Sequence, residues 1–172
     1  GVFMLIPFIV EFIYGEDNSA FLSSSALTTF IGILLVLTNL EESRKLNLQQ
    51  AFLLTTLSWL SIAIFGSLPF IFSNLNLSMV DSFFESMSGI TTTGSTIITN
   101  LESTPKSILI WRAILQWLGG IGVIVMAITI LPLLNVGGMQ LFKQTSDTSE
   151  KILPKTREVT LVISIIYVTL SL

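Results

Sequence analysis

The stretch that decides how this chain folds reads SGITTTGSTIITN and occupies residues 88–100. Three consecutive threonines are followed by a glycine, a serine and a further threonine. Long segments with almost no charge precede and follow it. The nature of those flanking segments determines what a short, hydroxyl-rich interruption means.

The flanking segments have the composition of membrane-spanning helices. Of the 172 residues, 51% are hydrophobic and 11% are charged, whereas a typical soluble domain carries about 25% charged residues. No charged residue occurs in 46–80 or in 113–142. Both runs exceed the roughly 20 residues that span a bilayer as a helix and are far too long for barrel strands. The sequence therefore predicts an all-α integral membrane protein.

The apolar segments outline the organisation of the chain. Residues 2–14 resemble the exit half of a helix, 20–40 form a full span, and a third span runs from 48 to a break or kink at Pro69. Another long apolar segment covers 107–142, and a last one starts near Val159. Because both ends of the chain interrupt apolar runs, we expect it to be part of a longer sequence.

The basic residues predict the orientation in the membrane, because short cytoplasmic loops are enriched in lysine and arginine. Alternating spans place segments 41–45 and 143–158 on one side, which is expected to be cytoplasmic. That side holds Arg44, Lys45, Lys143, Lys151, Lys155 and Arg157, and the other side holds Lys106 and Arg112. The hydroxyl-rich stretch is then expected to enter from outside.

A short helix is predicted immediately before this stretch. Residues 79–89 would form about 16 Å of helix, enough to reach half-way into the bilayer. Ser78 and Asp81 have capping-box spacing, and Gly89 suits a helix stop. Its negative dipole end would point at the membrane centre. The expected apolar packing face consists of Phe83, Phe84, Met87 and Ile90.

The backbone after this half-helix has two open interpretations. Non-helical backbone at membrane depth must be buried in protein or line a water-filled path. Gly94 permits unusual dihedral angles, and successive carbonyls turned to one side would form one strand of a cation filter. The other interpretation is a polar loop on the outer surface. The candidate filter residues are Thr91, Thr92, Thr93, Gly94 and Ser95.

Four further features were interpreted from the sequence. LGGIGVIV (118–125) lacks the last glycine of a dinucleotide-binding motif, which favours close helix packing through its glycines. Arg112 is expected to extend to the membrane interface, with repulsion of cations or bracing of the filter as the alternatives. Glu85 is expected either to hold the filter loop by hydrogen bonds or to supply negative potential. Trp111 suits the outer interfacial belt.

Four stretches carry a family resemblance: SLPFIFS, DSFFESMSGITTTGST, ILIWRAILQWLGGIGVIVMAITILPLLNVGGMQLF and LPKTRE. They resemble the TrkH/TrkG-type potassium uptake subunits of the Trk/Ktr/HKT superfamily. The resemblance implies helix–pore-loop–helix repeats around a pore, preceded by an extra helix pair. It assigns 1–47 to that pair, 48–142 to the first repeat, 143–158 to a cytoplasmic connection and 159–172 to the start of a second repeat.

The resemblance also implies roles and partners. Thr92 and Thr93 would offer carbonyl oxygens to K⁺, Gly94 would be the filter glycine and Thr91 would line the inner end. The implied setting is a bacterial inner membrane, with a TrkA-like nucleotide-binding subunit docked on the cytoplasmic face and a homodimeric assembly. No cofactor besides transported K⁺ and no nucleic acid is expected. TTTGS lacks the full TVGYG of potassium channels, so a sodium-coupled or sodium-permeable transporter is the alternative.

Two other classes of function make different demands on the sequence. A membrane-embedded enzyme needs polar catalytic groups at depth, yet the chain has no histidine or cysteine and its spans have no paired carboxylates. We therefore do not expect an enzyme. A purely structural membrane subunit predicts that Gly94 tolerates a side chain, whereas a filter does not.

Overall fold

The computed structural model describes residues 1–16, 19–39, 48–130 and 152–171. These residues form helices and connecting segments, and no strand occurs among them. In chain order the helices are a 3-10 turn Val2–Met4, α1 Leu5–Tyr14, α2 Ala20–Thr38, α3 Leu48–Phe72, α4 Met79–Ile90, a 3-10 turn Leu101–Ser103, α5 Lys106–Ile130 and α6 Ile152–Ser171.

Three of the helices are long and apolar enough to cross a membrane. Their spans are Ala20–Thr38, Gln49–Phe72 and Lys106–Met126. Between the second and third lie the 12-residue α4 and an irregular stretch. The predicted all-α membrane architecture, with a short helix and loop between two long helices, is confirmed.

The chain divides into two compact units. One comprises Gly1–Lys45 and Thr56–Gly119, and the other comprises Leu46–Thr55 and Gly120–Leu172. The first unit contains helices α1, α2 and α4 and the hydroxyl-rich stretch. It therefore contains the whole candidate site.

Helix α3 continues past Pro69, where we expected either an end or a kink. Pro69 lies inside the helix, which runs to Phe72. The missing amide of Pro69 costs one backbone hydrogen bond, the one to the Phe65 carbonyl, and side-chain donors bond the two carbonyls on either side of it. Ser67 Oγ donates to the Ile64 carbonyl at 2.7 Å, and Trp111 Nε1 donates to the Gly66 carbonyl at 2.9 Å. Unpaired backbone groups are costly in apolar surroundings, which favours keeping the other backbone hydrogen bonds of the helix.

An apolar cluster joins α2, α3 and α5 within the first unit. The rings of Phe21 and Trp111 meet edge to face, with centroids 6.2 Å apart and an interplanar angle of 74°. Phe70, Ile108 and Leu115 are buried in the same cluster. Trp111 is 3% exposed, so its predicted place in an interfacial belt is wrong. Its indole nitrogen finds a buried acceptor on α3 instead of interfacial water.

The last helix starts earlier than the sequence suggested. We expected it near Val159, but α6 begins at Ile152. Pro154 then lies in the first turn, where the missing proline amide breaks no intrahelical bond. The predicted loop 41–45 and residues 131–151, which include most of the predicted connection 143–158, lie outside the described residues.

Candidate functional site

Helix α4 begins with the capping box that the sequence predicted. The Asp81 amide donates to Ser78 Oγ at 3.1 Å, and the Ser78 amide donates to Asp81 Oδ2 at 3.3 Å. Two amides that a helix start leaves without partners are therefore satisfied by side chains. This reciprocal pair sets the start of the helix at Met79.

The buried face of α4 differs from the predicted one. Phe84 is exposed, and Phe83 and Met87 are only half-buried. The buried positions are instead occupied mainly by small and polar residues, Ser82, Glu85, Ser86, Ser88, Gly89 and Ile90. The prediction assumed the packing rule of soluble helices. In membranes, small residues line helix contacts because lipid offers no penalty to an exposed apolar face.

Close packing against α5 explains the glycines at this contact. A Cβ on Gly89 would lie 2.9 Å from Leu115 Cβ, and one on Gly119 would collide with the Ile90 carbonyl. Helix α4 ends at Ile90, and its C-cap Thr91 is not left-handed. The predicted role of Gly89 as a helix stop is thus wrong, since its lack of a side chain serves the contact with α5. The predicted packing role of the glycines in 118–125 is confirmed at Gly119.

The amides after α4 are all turned back onto the helix end. Thr91 N donates to the Met87 carbonyl at 2.9 Å and Thr92 N to the Gly89 carbonyl at 2.9 Å. The Ser88 carbonyl accepts from Thr93 N at 3.0 Å and from Gly94 N at 3.3 Å. The amides of four consecutive residues, 91–94, are therefore bound to carbonyls at the end of α4.

The carbonyls of the same residues are in the opposite situation. Within the described part of the chain, no hydrogen bond is donated to the carbonyl oxygens of Thr91, Thr92, Thr93 or Gly94. All four residues are exposed. A backbone whose donors are occupied and whose acceptors are free is suited to binding a cation.

Two residues of this segment have left-handed backbone angles. Gly94 has φ 77° and Thr92 has φ 58°. The first is readily adopted by glycine, whereas the second is unusual for a β-branched residue. Such strained residues persist where their surroundings hold them and are common at binding sites. Thr91 Oγ1 contributes to holding the turn, since it donates to the Met87 carbonyl at 2.7 Å.

The second half of the stretch is held by two buried side chains of α4. Ser88 Oγ donates to the Ser95 carbonyl at 2.7 Å. Glu85 Oε1 accepts from Thr96 Oγ1 and from the Ile97 amide, both at 2.6 Å. Of the two roles considered for Glu85, the structure therefore shows hydrogen bonding to the loop.

Arg112 completes this arrangement. Its Nε lies 2.9 Å from Glu85 Oε2, and the side chain of Glu85 is fully buried. The expectation that Arg112 extends to the interface is wrong, because an unpaired buried carboxylate costs more than ordering the arginine. The pairing joins residues from two helices, and the sequence contained no local signal for it.

The site contains no cluster of metal-binding side chains. Within the described ranges, no group of three His, Cys, Asp or Glu side chains is placed to hold a metal ion. The oxygen atoms that residues 91–95 present come from backbone carbonyls and hydroxyls.

The sequence is similar to a known family and to several of its members. The family model for TrkH, described as a cation transport protein, matches residues 17–172. The Trk system potassium uptake protein TrkI of Halomonas elongata is 45% identical over 91% of this chain and 32% of its own length. TrkH of Escherichia coli K12 is 41% identical over 98% of this chain and 36% of its own length.

The fold agrees with a solved structure of the same family. The crystal structure of the potassium transporter TrkH from Vibrio parahaemolyticus matches with a TM-score of 0.82 and 36% identity, covering 98% of this chain and 34% of that one. The chain spans about a third of the length of the relatives it matches. The family is one of transport proteins, which confirms that the chain does not belong to an enzyme class. The match along nine-tenths of the sequence places this chain in the TrkH family of cation transport proteins.

Proposed function

We propose that this chain is part of the ion-translocating subunit of a potassium uptake system, and that residues 91–95 form one strand of its selectivity filter. The observation that carries the proposal is the asymmetry of the backbone in this stretch. Four amides are bound to the end of α4, while the carbonyls of the same residues receive no bond within the described chain. The named function of the relatives supports potassium as the ion.

Translocation requires no covalent step in this proposal. A potassium ion exchanges part of its hydration shell for carbonyl oxygens, which Thr92 and Thr93 supply. Gly94 provides the left-handed turn, Thr91 lines the inner end and Ser95 continues the strand. The C-terminal end of α4 adds partial negative charge of about half a unit beside the ion.

Three further residues support this strand. Asp81 sets the start of α4, and Gly89 permits close approach to α5. Glu85 accepts two hydrogen bonds from the chain that follows the filter. Each fixes the short helix or its loop, so each acts on ion binding indirectly.

The wider organisation belongs to the same proposal. Residues 1–47 are assigned to an extra helix pair, 48–142 to the first repeat, 143–158 to a cytoplasmic connection and 159–172 to the start of a second repeat. The protein would lie in a bacterial inner membrane, with 41–45 and 143–158 in the cytoplasm and the filter loop open to the outside. A TrkA-like regulatory subunit and a second copy are the proposed partners, besides the lipid bilayer and K⁺.

The test uses the longest reading frame that contains these residues, expressed in cells without their own potassium uptake. Rubidium uptake is measured in wild type and in Gly94→Ser, with and without competing sodium. A serine at φ 77° disfavours the observed backbone, and its Cβ would meet Gln116 Nε2 at 3.4 Å. The matched control is Gly32→Ser, where an added Cβ meets nothing within 4 Å.

Saturable uptake in wild type and in Gly32→Ser, with loss of potassium preference in Gly94→Ser, is the expected result. Equal uptake and selectivity in all three proteins would reduce residues 91–95 to a surface loop. Wild-type uptake that prefers sodium, or requires it, would replace the potassium assignment with the sodium alternative.

A further inference from the structure

The connection between α1 and α2 contains a glutamate whose side chain contacts a distant helix. Glu16 Oε1 accepts from the Lys106 amide at 2.7 Å. Its Oε2 accepts from Ser107 Oγ at 2.6 Å and from the Ser107 amide at 3.4 Å. Ser107 is 1% exposed and Lys106 is exposed, so the carboxylate is bound where the start of α5 enters the protein.

Local sequence explains how Glu16 comes to point away from its own helix. Gly15 ends α1 in the left-handed conformation with φ 63°. The Glu16 amide returns to the Glu11 carbonyl at 3.0 Å. This turn is readily available only to glycine. It takes the chain away from the path of α1, so the Glu16 side chain points away from that helix.

Helix α5 has no cap from its own sequence. A helix start needs acceptors for its first amides, normally from a side chain at the preceding residue. That residue is Pro105, which has no side-chain acceptor. The Thr104 hydroxyl donates to the Asn100 carbonyl at 2.8 Å, and among the described residues the first two amides of α5 donate to Glu16 and not to this hydroxyl. Glu16 therefore takes the place of the missing cap from 90 residues earlier in the chain.

The position of α5 along its axis matters for the candidate filter. One face of the helix makes three successive contacts with the α4 region: Arg112 with Glu85, Leu115 with Gly89, and Gly119 with Ile90. At Gly89 and Gly119 there is no room for a single added carbon. A small axial shift of α5 would therefore displace the end of α4, from which residues 91–95 begin.

We infer that Glu16 is a positioning residue for the selectivity filter, acting through the start of α5. Helices α1 and α2 then help to fix the position of α5 in the first repeat, in addition to preceding that repeat in the chain. The edge-to-face contact of Phe21 with Trp111 is a second attachment of the same helix pair to α5. The inference rests on the proposed function of residues 91–95.

The test compares Glu16→Ala and Glu16→Gln with Glu102→Ala, in the same reading frame and uptake assay. Glu102 is exposed, so its replacement removes an equal charge without removing a cap. The readout is the preference for rubidium over sodium, normalised to the amount of protein in the membrane. Loss of folded protein alone lowers the amount but leaves this preference unchanged.

Glu16→Ala is expected to lower the preference by at most about fivefold, because the effect on the filter cannot exceed the free energy of a typical helix cap. Glu16→Gln keeps one carbonyl oxygen for the Lys106 amide and is expected to fall between Glu16→Ala and wild type. Ser107→Ala is expected to add little to Glu16→Ala, because both substitutions break the same bond.

Two results would overturn the inference in distinguishable ways. If Gly94→Ser changes the preference and Glu16→Ala behaves like Glu102→Ala, the filter stands and the role of Glu16 does not. If Gly94→Ser changes nothing, the filter assignment itself fails and the inference fails with it.

Discussion

The carboxylate of Glu85 joins three segments of the chain. It lies on α4, accepts hydrogen bonds from Thr96 and Ile97 in the second half of the hydroxyl-rich stretch, and pairs with Arg112 on α5. Two hydrogen bonds to Oε1 and the Arg112 guanidinium 2.9 Å from Oε2 offset the cost of burying this charge. The sequence showed that Glu85 sits on a short helix at membrane depth and singled it out for that reason. It contained no signal for the partner, because the pairing depends on how two helices pack.

We predict that Glu85→Ala destabilises the protein by about 3–5 kcal/mol, the range for removing one member of a buried ion pair. Arg112 and the Ile97 amide would both lose their acceptor. The double variant Glu85→Ala/Arg112→Ala is expected to be less destabilised than the sum of the two single variants.

The measurement is the thermal stability of the purified, detergent-solubilised variants. Glu102→Ala serves as the control, because that carboxylate is exposed. Equal effects of Glu85→Ala and Glu102→Ala would show that the Glu85 contacts add nothing to stability.

At the scale of helices, the sequence located the start of α4 but not its buried face. The start followed from Ser78 and Asp81, which are three residues apart and whose hydrogen bonds depend only on local geometry. The buried face was predicted wrongly, because Phe84 is exposed, Phe83 and Met87 are half-buried, and mainly small and polar residues make the contacts. Which face turns inward depends on the neighbouring helices and on the apolar surroundings.

The contact of α4 with α5 leads to a prediction for two glycines. Gly119→Ala is expected to destabilise the protein by about 1–3 kcal/mol, the usual range for overpacking, because the added carbon meets backbone atoms of Ile90. Gly32→Ala is expected to be neutral or stabilising by up to about 1 kcal/mol, since alanine favours helix and nothing lies within 4 Å. Thermal unfolding of the two variants checks this, and similar melting temperatures would contradict the packing of α4 on α5.

At the scale of the whole molecule, the charge-free runs determine the spans and the basic residues determine the expected orientation. Three of the described helices have the length and composition of membrane spans, as the runs predicted. The orientation stays a prediction. The loop 41–45, on which it partly depends, lies outside the described residues.

Cysteine labelling tests this orientation, and the absence of cysteine from the 172 residues simplifies it. After any cysteines elsewhere in the reading frame are replaced, Ser103→Cys and Ser43→Cys are each treated with a membrane-impermeant maleimide. We expect Ser103→Cys to be labelled in cells whose outer membrane or wall lets the reagent through. We expect Ser43→Cys to be labelled only after the inner membrane is permeabilised. The reverse pattern would place the hydroxyl-rich stretch on the cytoplasmic side.

The sequence by itself determined the class of the protein, the number of long spans in the described chain, the capped short helix and the stretch that follows it. These features depend on composition and on neighbours within a few residues, so they can be read along the chain. Only the tertiary structure decided that Arg112 pairs with Glu85, that Gly89 and Gly119 admit a neighbouring backbone, and that Glu16 caps α5. Each of these contacts joins segments whose separation in sequence carries no information about their distance, because helix packing alone brings them together.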